Sequence, residues 1–478
     1  MAANAPDPRR WKALALICSA FFMTVLDVAI VNVALPTIKT SLHFSQPNLQ
    51  WVITAYSLTF GGFLLLGGRI GDLLGRRRIF MMGTALFTLA SLTCGLAQNE
   101  AMLIVARGVQ GLGAALISPA VLAIISTTFT EGAERNKALG VSGAVAGSGA
   151  AFGVLLGGVL TRYLGWEWIF FVNVPVGAVV LLLTTRFVRE SHADAEHKRY
   201  DAAGAVTVTA GLIILVYAIS RAPFEGWASA RTIGLLAVSA VLIGIFIWLE
   251  SHVTAPLLRL GIFRLRTLAG ANIVGFLLAG SLFAMFFLLT FYIQQVLGYS
   301  ALQAGVAFLA TAGTVVVVAG IAQMLVTRVG VKPILATGLT LLTISQLRYT
   351  HLPVHGRYVS DLMPFFFIAG IGLAFSFIPV TIAALAGVAP HEAGLASGLI
   401  NTSQQVGGAI GVAVASTVFT SHLKTLAKAG DSQPVALTGG FHWAFYVTAV
   451  TAAVGALAAL VLIRESEIPE GAEAVAPA

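Results

Sequence analysis

The sequence predicts an all-α integral membrane protein, two six-helix halves with two further helices inserted between them, fourteen transmembrane helices in all. Of its 478 residues 58% are hydrophobic and 10% charged, against roughly a quarter charged in an ordinary soluble domain. Apolar runs of about 20 residues, the length that spans a bilayer as a helix, recur along the whole chain. Fifty glycines suit close packing of such helices. A β-barrel would need short alternating strands instead.

The runs fall at residues 12–36, 48–68, 79–97, 101–125, 138–160, 168–188, 203–221, 231–250, 267–296, 303–326, 333–350, 360–384, 393–421 and 440–463. The run at 333–350 is interrupted by Gln346 and Arg348. Basic residues at the N-terminus, Arg9, Arg10 and Lys12, imitate a signal peptide. The apolar stretch behind them is too long for one and carries Asp27 inside. With the N-terminus in the cytoplasm, 19 of the 28 Lys and Arg residues fall in inside loops and 8 in outside loops. The positive-inside rule therefore places both termini in the cytoplasm, and the net charge of +8 is read as orientation rather than nucleic-acid binding. Cys18 and Cys94 sit inside apolar runs and are read as small core residues, neither a disulfide framework nor a metal site.

A faint repeat relates the halves. At a shift of 255, Gly75, Ile79 and Gly83 fall on Gly330, Ile334 and Gly338. At a shift of 258, Gly140, Gly149 and Gly153 fall on Gly398, Gly407 and Gly411. The expected organisation is a half at 1–190, a connector with two inserted helices at 191–252, a half at 253–464 and an acidic, disordered tail at 465–478. Parallel halves with a site between them are a transporter architecture.

Ionisable residues deep in a bilayer are costly, about 2.5–3.5 kcal/mol on insertion scales, and mark function by default. Of the twenty acids only Asp27 lies well inside a run, and of the basic residues only Arg107. Counted from their helix ends, both sit in the outer half at similar depth. A carboxyl group buried alone keeps its proton and one beside an arginine releases it. A pair that closes and opens would therefore bind and release a proton, while a permanently closed pair would only tie two helices together. No phosphate-binding loop is present, so the energy source is an ion gradient or the substrate's own gradient. The glycine string from Gly147 is read as packing, and the string from His391 and Glu392 lacks its second histidine at Leu395.

The string GGRIGDLLGRRR places Gly68, Asp72, Gly75, Arg76, Arg77 and Arg78 around a tight two-helix turn. A carboxylate among arginines at such a turn suits ion pairs that break and reform as helices slide. It resembles the signature loop of the major facilitator superfamily. Four further strings resemble the fourteen-helix drug:proton antiporter branch of that family: LDVAIVNVALP from Leu26, ARGVQGLGAAL from Ala106, WEWIFFVNVPVG from Trp166 and YIQQVLGYSALQAG from Tyr292. The branch's fifth-helix motif is altered here, since Gly153, Gly157 and Gly158 remain but its proline is replaced by Val154. Gly149, Gly153 and Gly157 form a ladder read either as a rocking hinge or as static packing. The turn with Arg328, Gly330 and Lys332 is a worn copy without an acid.

The resemblance implies the major facilitator fold and a proton-coupled exporter of small amphipathic compounds, cationic or neutral, in the cell membrane. Such a protein needs no cofactor or metal and acts as a monomer. Asp27 and Arg107 would couple the proton. Asn32, Tyr56, Gln110, Asn272, Phe287, Tyr292 and Phe375 would line the cavity, and the amide face of Asn401 and Gln405 either joins them or bonds helices together. The rivals are an importer or facilitator on the same fold and a membrane sensor that does not transport.

Overall fold

The computed structural model describes residues 8–44, 49, 51–130, 132–191, 201–253, 256, 258, 260–388 and 392–465. The connector at 192–200, His391 and the tail beyond 465 lie outside the described residues. The long helices are α1 (Arg10–Ser41), α2 (Trp51–Leu74), α3 (Arg76–Gly95), α4 (Glu100–Thr128), α5 (Ala133–Tyr163), α6 (Trp168–Phe171 and Asn173–Phe187), α7 (Ala202–Glu225) and α8 (Ala230–His252). They continue with α9 (Arg266–Phe291, extended by a π turn at Tyr292–Val296), α10 (Ala301–Val329), α11 (Val331–Tyr349), α12 (Met363–Leu385), α13 (Ala393–Lys428) and α14 (Gln433–Leu462). Among the described residues twelve helices are long and apolar enough to cross a membrane; α5 and α11 are the two long helices outside that set. The expected apolar runs match these elements, with α1 and α13 several residues longer.

Local chemistry sets the boundaries. Asn99 caps α4 by accepting from the Met102 N–H at 2.9 Å, and Ser300 with Gln303 forms a full capping box on α10. α6 breaks at Val172 because Pro175 has no N–H to offer the Phe171 carbonyl. Gly75 and Gly330 join α2 to α3 and α10 to α11 with φ of +109° and +100°, a conformation that L side chains avoid. These are the two positions matched at a shift of 255.

Helices α1–α6 pack on one another, as do α9–α14. The two groups repeat each other's contacts. A Cβ on Gly153 of α5 would meet the Leu26 carbonyl of α1 at 2.8 Å, and one on Gly411 of α13 would meet the Gly280 carbonyl of α9 at 2.0 Å. Between the groups, α5 lies against α10 and α12, while α13 lies against α2 and α4. The α7–α8 hairpin rests its first helix on α2, where Gly61 and Gly62 admit Val216 and Ile213, and its tip reaches α13 through Trp227 Nε1 donating to Thr417 Oγ1 at 2.8 Å.

Candidate functional site

Asp27 is fully buried midway along α1, and α4 and α6 both bring donors to its carboxylate. Arg107 of α4 donates from Nη1 to Oδ2 at 2.5 Å. Gln110, one turn further along α4, donates from Nε2 to Oδ1 at 2.8 Å, and Asn173 at the break in α6 donates to the same oxygen at 3.4 Å. Ser91 of α3 accepts from both amides at 2.9 Å and passes its own hydrogen to the Phe170 carbonyl. All the groups that meet the carboxylate are donors, so this arrangement suits the ionised acid.

Arg107 does not depend on Asp27 alone. Its Nε donates to the Val52 carbonyl at 2.9 Å, its Nη1 also reaches Gln110 Oε1 at 2.6 Å, and its guanidinium carbon lies 4.3 Å from the centre of the Tyr56 ring. If Asp27 were neutralised, the guanidinium would keep two acceptors and an aromatic face. Tyr56 and Gln110, expected from the resemblance in the substrate wall, thus belong to the cage around the charge pair. Both are buried.

The second buried pair sits at the far end of α2. Arg76 closes on Asp72 with Nη2 at 2.7 Å and Nε at 3.0 Å from the same oxygen. The carboxylate also accepts from the backbone N–H groups of Gly394 and Leu395 at 3.3 and 3.1 Å, at the start of α13. An anion on a helix N-terminus is favourable. Asp72 therefore fastens the first group of helices to the second. Gly68 makes the approach possible, since a Cβ there would stand 2.4 Å from the Gly394 carbonyl oxygen. Arg77 donates its backbone N–H to Glu190 Oε1 at 3.0 Å, and Arg78 is largely exposed.

Among the described residues, the close approaches that glycines permit between the two groups lie at this end. Besides Gly68, Gly394 and Gly398, they are Gly140 against Gln323 and Gly143 against Ile378. The ladder of Gly149, Gly153 and Gly157 lies elsewhere, against Val25, Ala29 and Ile30 of α1 within the first group; Gly158 beside it is buried. Along α13, residues 393–400 are buried and 401–406 are half-buried. The groups thus close on each other at the Asp72 end.

The other expected wall residues divide. Phe287, Phe375, Asn401 and Gln405 are half-buried, and Asn32 is exposed with its Nδ2 on the Val28 carbonyl. Asn272 is buried and accepts from Ser403 Oγ at 2.9 Å, joining α9 to α13. Tyr292 is enclosed, its hydroxyl donating to the Pro353 carbonyl at 2.6 Å and its ring against Phe441. Asp361 accepts from the Arg357 N–H at the mouth of α12.

Sequence reasoning missed Ser91, Asn173 and Cys94 as members of the cage; Cys94 Sγ lies 3.7 Å from Gln110 Oε1. Gln346, matched to Ser91 by the shift of 255, carries the neutral counterpart. It is buried and donates to Ser281 Oγ at 2.7 Å, and Ser281 donates to the Thr448 carbonyl. The charge pair is therefore confined to the first group.

The profile of the Major Facilitator Superfamily matches residues 17–412. The chain is 41% identical over 465 residues to the puromycin resistance protein pur8 of Streptomyces alboniger, covering 95% of this chain and 91% of the relative. It is 38% identical over 412 residues to the cephamycin export protein CmcT of Amycolatopsis lactamdurans, covering 86% and 85%. To the multidrug resistance protein Stp of Mycobacterium tuberculosis it is 37% identical over 423 residues, covering 87% and 77%. Among solved structures, the human organic anion transporter MFSD10 has the same fold, with a TM-score of 0.68 at 15% identity over 95% of this chain and 100% of that one. The proton:xylose symporter XylE gives 0.67 at 14% identity over 98% and 99%.

Proposed function

Because this chain belongs to the major facilitator superfamily, a family of transporters rather than enzymes, we propose that it exports small amphipathic drugs or antibiotics, cationic or neutral, in exchange for protons. The observation that carries the exchange is the caged Asp27–Arg107 pair, the one buried ion pair among the described residues that lies away from the helix turns. Export is supported by the resistance and export proteins at 37–41% identity. The excess of basic residues in alternate loops supports an orientation with both termini and Asp72 in the cytoplasm. In this reading all fourteen long helices cross the cell membrane, with the halves at 1–190 and 253–464 moving about the inserted pair. The chain acts as a monomer without a cofactor.

With that orientation the structure is the conformer closed on the cytoplasmic side. Asp27 is ionised and locked. A proton arriving from outside neutralises Asp27 and releases its donors, while Val52, Gln110 and Tyr56 keep the Arg107 charge satisfied. Substrate leaves in this state. The halves then exchange positions, Asp72 leaves the start of α13, and the proton departs inward as new substrate enters. Each proton charge crossing 100 mV supplies about 2.3 kcal/mol, which offsets roughly a forty- to fiftyfold gradient.

Inverted membrane vesicles test the reading. An imposed acid interior should drive uptake of a fluorescent cation such as ethidium, and Asp27→Asn should abolish the dependence on the pH gradient. Full gradient-driven uptake by Asp27→Asn would remove Asp27 from the mechanism. Accumulation in right-side-out vesicles with an acid exterior would favour an importer instead.

A further inference from the structure

Two carboxyl groups meet where the inserted hairpin begins and ends, on the Asp72 side of the bundle. Asp201 precedes α7 and caps it, Oδ1 accepting from the Gly204 N–H at 2.7 Å. Glu250 lies in the last turn of α8, 5% exposed, and its Oε2 accepts from the Leu258 N–H at 2.9 Å. Each acid has a second oxygen, Asp201 Oδ2 and Glu250 Oε1, that is buried without a hydrogen-bond donor. Those two oxygens converge on one point. A Cβ on Gly204 would stand 2.4 Å from Asp201 Oδ2 and 2.7 Å from Glu250 Oε1, so they lie no more than about 5 Å apart.

We propose that Asp201 and Glu250 hold a single proton between Oδ2 and Oε1, making the base of the inserted hairpin a proton-binding site separate from the Asp27 cage. Two buried carboxylates this close cannot both stay ionised without a large repulsion, and one shared proton satisfies both orphan oxygens at once. A hard cation in the same place needs about six or more oxygen ligands, and the described residues bring no third acid, histidine or cysteine to the pair. The groups acting on Glu250 are Asp201 from the start of α7, the Leu258 N–H from the return after α8, and the positive charge of Arg69 from α2. Arg69 is three residues from Asp72. Loss of the proton pushes the two ends of the hairpin apart beside the α2–α3 turn that carries Asp72.

The proposal does not depend on the transport reading and is tested without transport. Thermal unfolding of the full-length protein in detergent is followed from pH 5.5 to 8.5 for the wild type, Glu250→Gln and Asp201→Asn. Either amide supplies the missing hydrogen at nearly unchanged size, and asparagine still caps α7. The wild type should lose stability relative to both variants as the pH rises and the shared proton leaves, by up to about tenfold in the folding equilibrium per pH unit. Parallel profiles for all three would overturn the proposal. So would stabilisation of the wild type alone by millimolar sodium, magnesium or calcium at high pH, which would identify a cation site. Failure of both amide variants to fold would also count against it, since each restores the hydrogen bond the pair is said to need.

Discussion

Replacing Gly68 by alanine strikes the contact that closes the two groups of helices on each other at the Asp72 end. The added Cβ would stand 2.4 Å from the Gly394 carbonyl oxygen, 3.1 Å from its carbon and 3.5 Å from the Gly398 Cα. The first distance is about 1 Å short of ordinary contact. The obstacle is backbone on both sides, so no side chain can rotate away and the two helices must separate. Overpacking of this kind costs about 1–3 kcal/mol. It falls only on the conformer in which α2 and α13 touch, so the equilibrium should shift roughly five- to 150-fold toward the conformer open at this end. Spin labels at the exposed Arg78 and Arg328, one in each group of helices, report the change by pulsed electron resonance, with the buried Cys18 and Cys94 first replaced by serine. Gly67→Ala is the control, because its Cβ would meet the Ala115 carbonyl at 2.4 Å inside the first group. Gly68→Ala should add a longer-distance population and Gly67→Ala should not. A folded Gly68→Ala protein with the wild-type distance distribution would refute the argument.

Further outcomes follow from the same contacts. Arg107→Lys keeps the charge but loses the fork that spans Asp27, Gln110 and the Val52 carbonyl, so proton-driven dye efflux should fall at least about tenfold at unchanged expression; undiminished efflux would show that the fork is dispensable. Asp72→Asn removes the carboxylate charge that closes on Arg76, 1% exposed. Breaking a buried pair costs about 3–5 kcal/mol, so the unfolding temperature should drop clearly and recover in part in the double variant Asp72→Leu/Arg76→Met. Trp227→Phe removes the hydrogen bond to Thr417 that ties the hairpin tip to α13. Such bonds in membranes contribute about 0.6–1.7 kcal/mol, so faster hydrogen exchange near residues 226–230 should accompany a small loss of stability.

The helices and the burial of Asp27, Arg107 and Asp72 were legible because charge is rare in this chain and its position is conspicuous. Turn chemistry was legible too: Gly75 and Gly330, matched only by spacing, share one backbone conformation. The partners were harder to read. Ser91, Gln110 and Asn173 look like any polar residue that bonds helices together, and only the packing of α3, α4 and α6 around α1 turns them toward one carboxylate. The glycine ladder on α5 was visible as a smooth face, but a smooth face does not name its neighbour, and the neighbour is α1 rather than the second half. Tyr292 shows the same limit. An aromatic at the right depth has no sign in sequence that its hydroxyl is already committed to the Pro353 carbonyl.

Proton movement opposed to substrate movement through Asp27 is the central step of the proposed exchange. Proteoliposomes loaded with ethidium and a lumenal pH dye, placed in dye-free buffer of equal pH, measure it directly. The wild type should acidify the lumen as ethidium leaves, and Asp27→Asn should not. Ethidium leaving through the wild-type protein with no acidification, or acidification at the wild-type rate through Asp27→Asn, would contradict it.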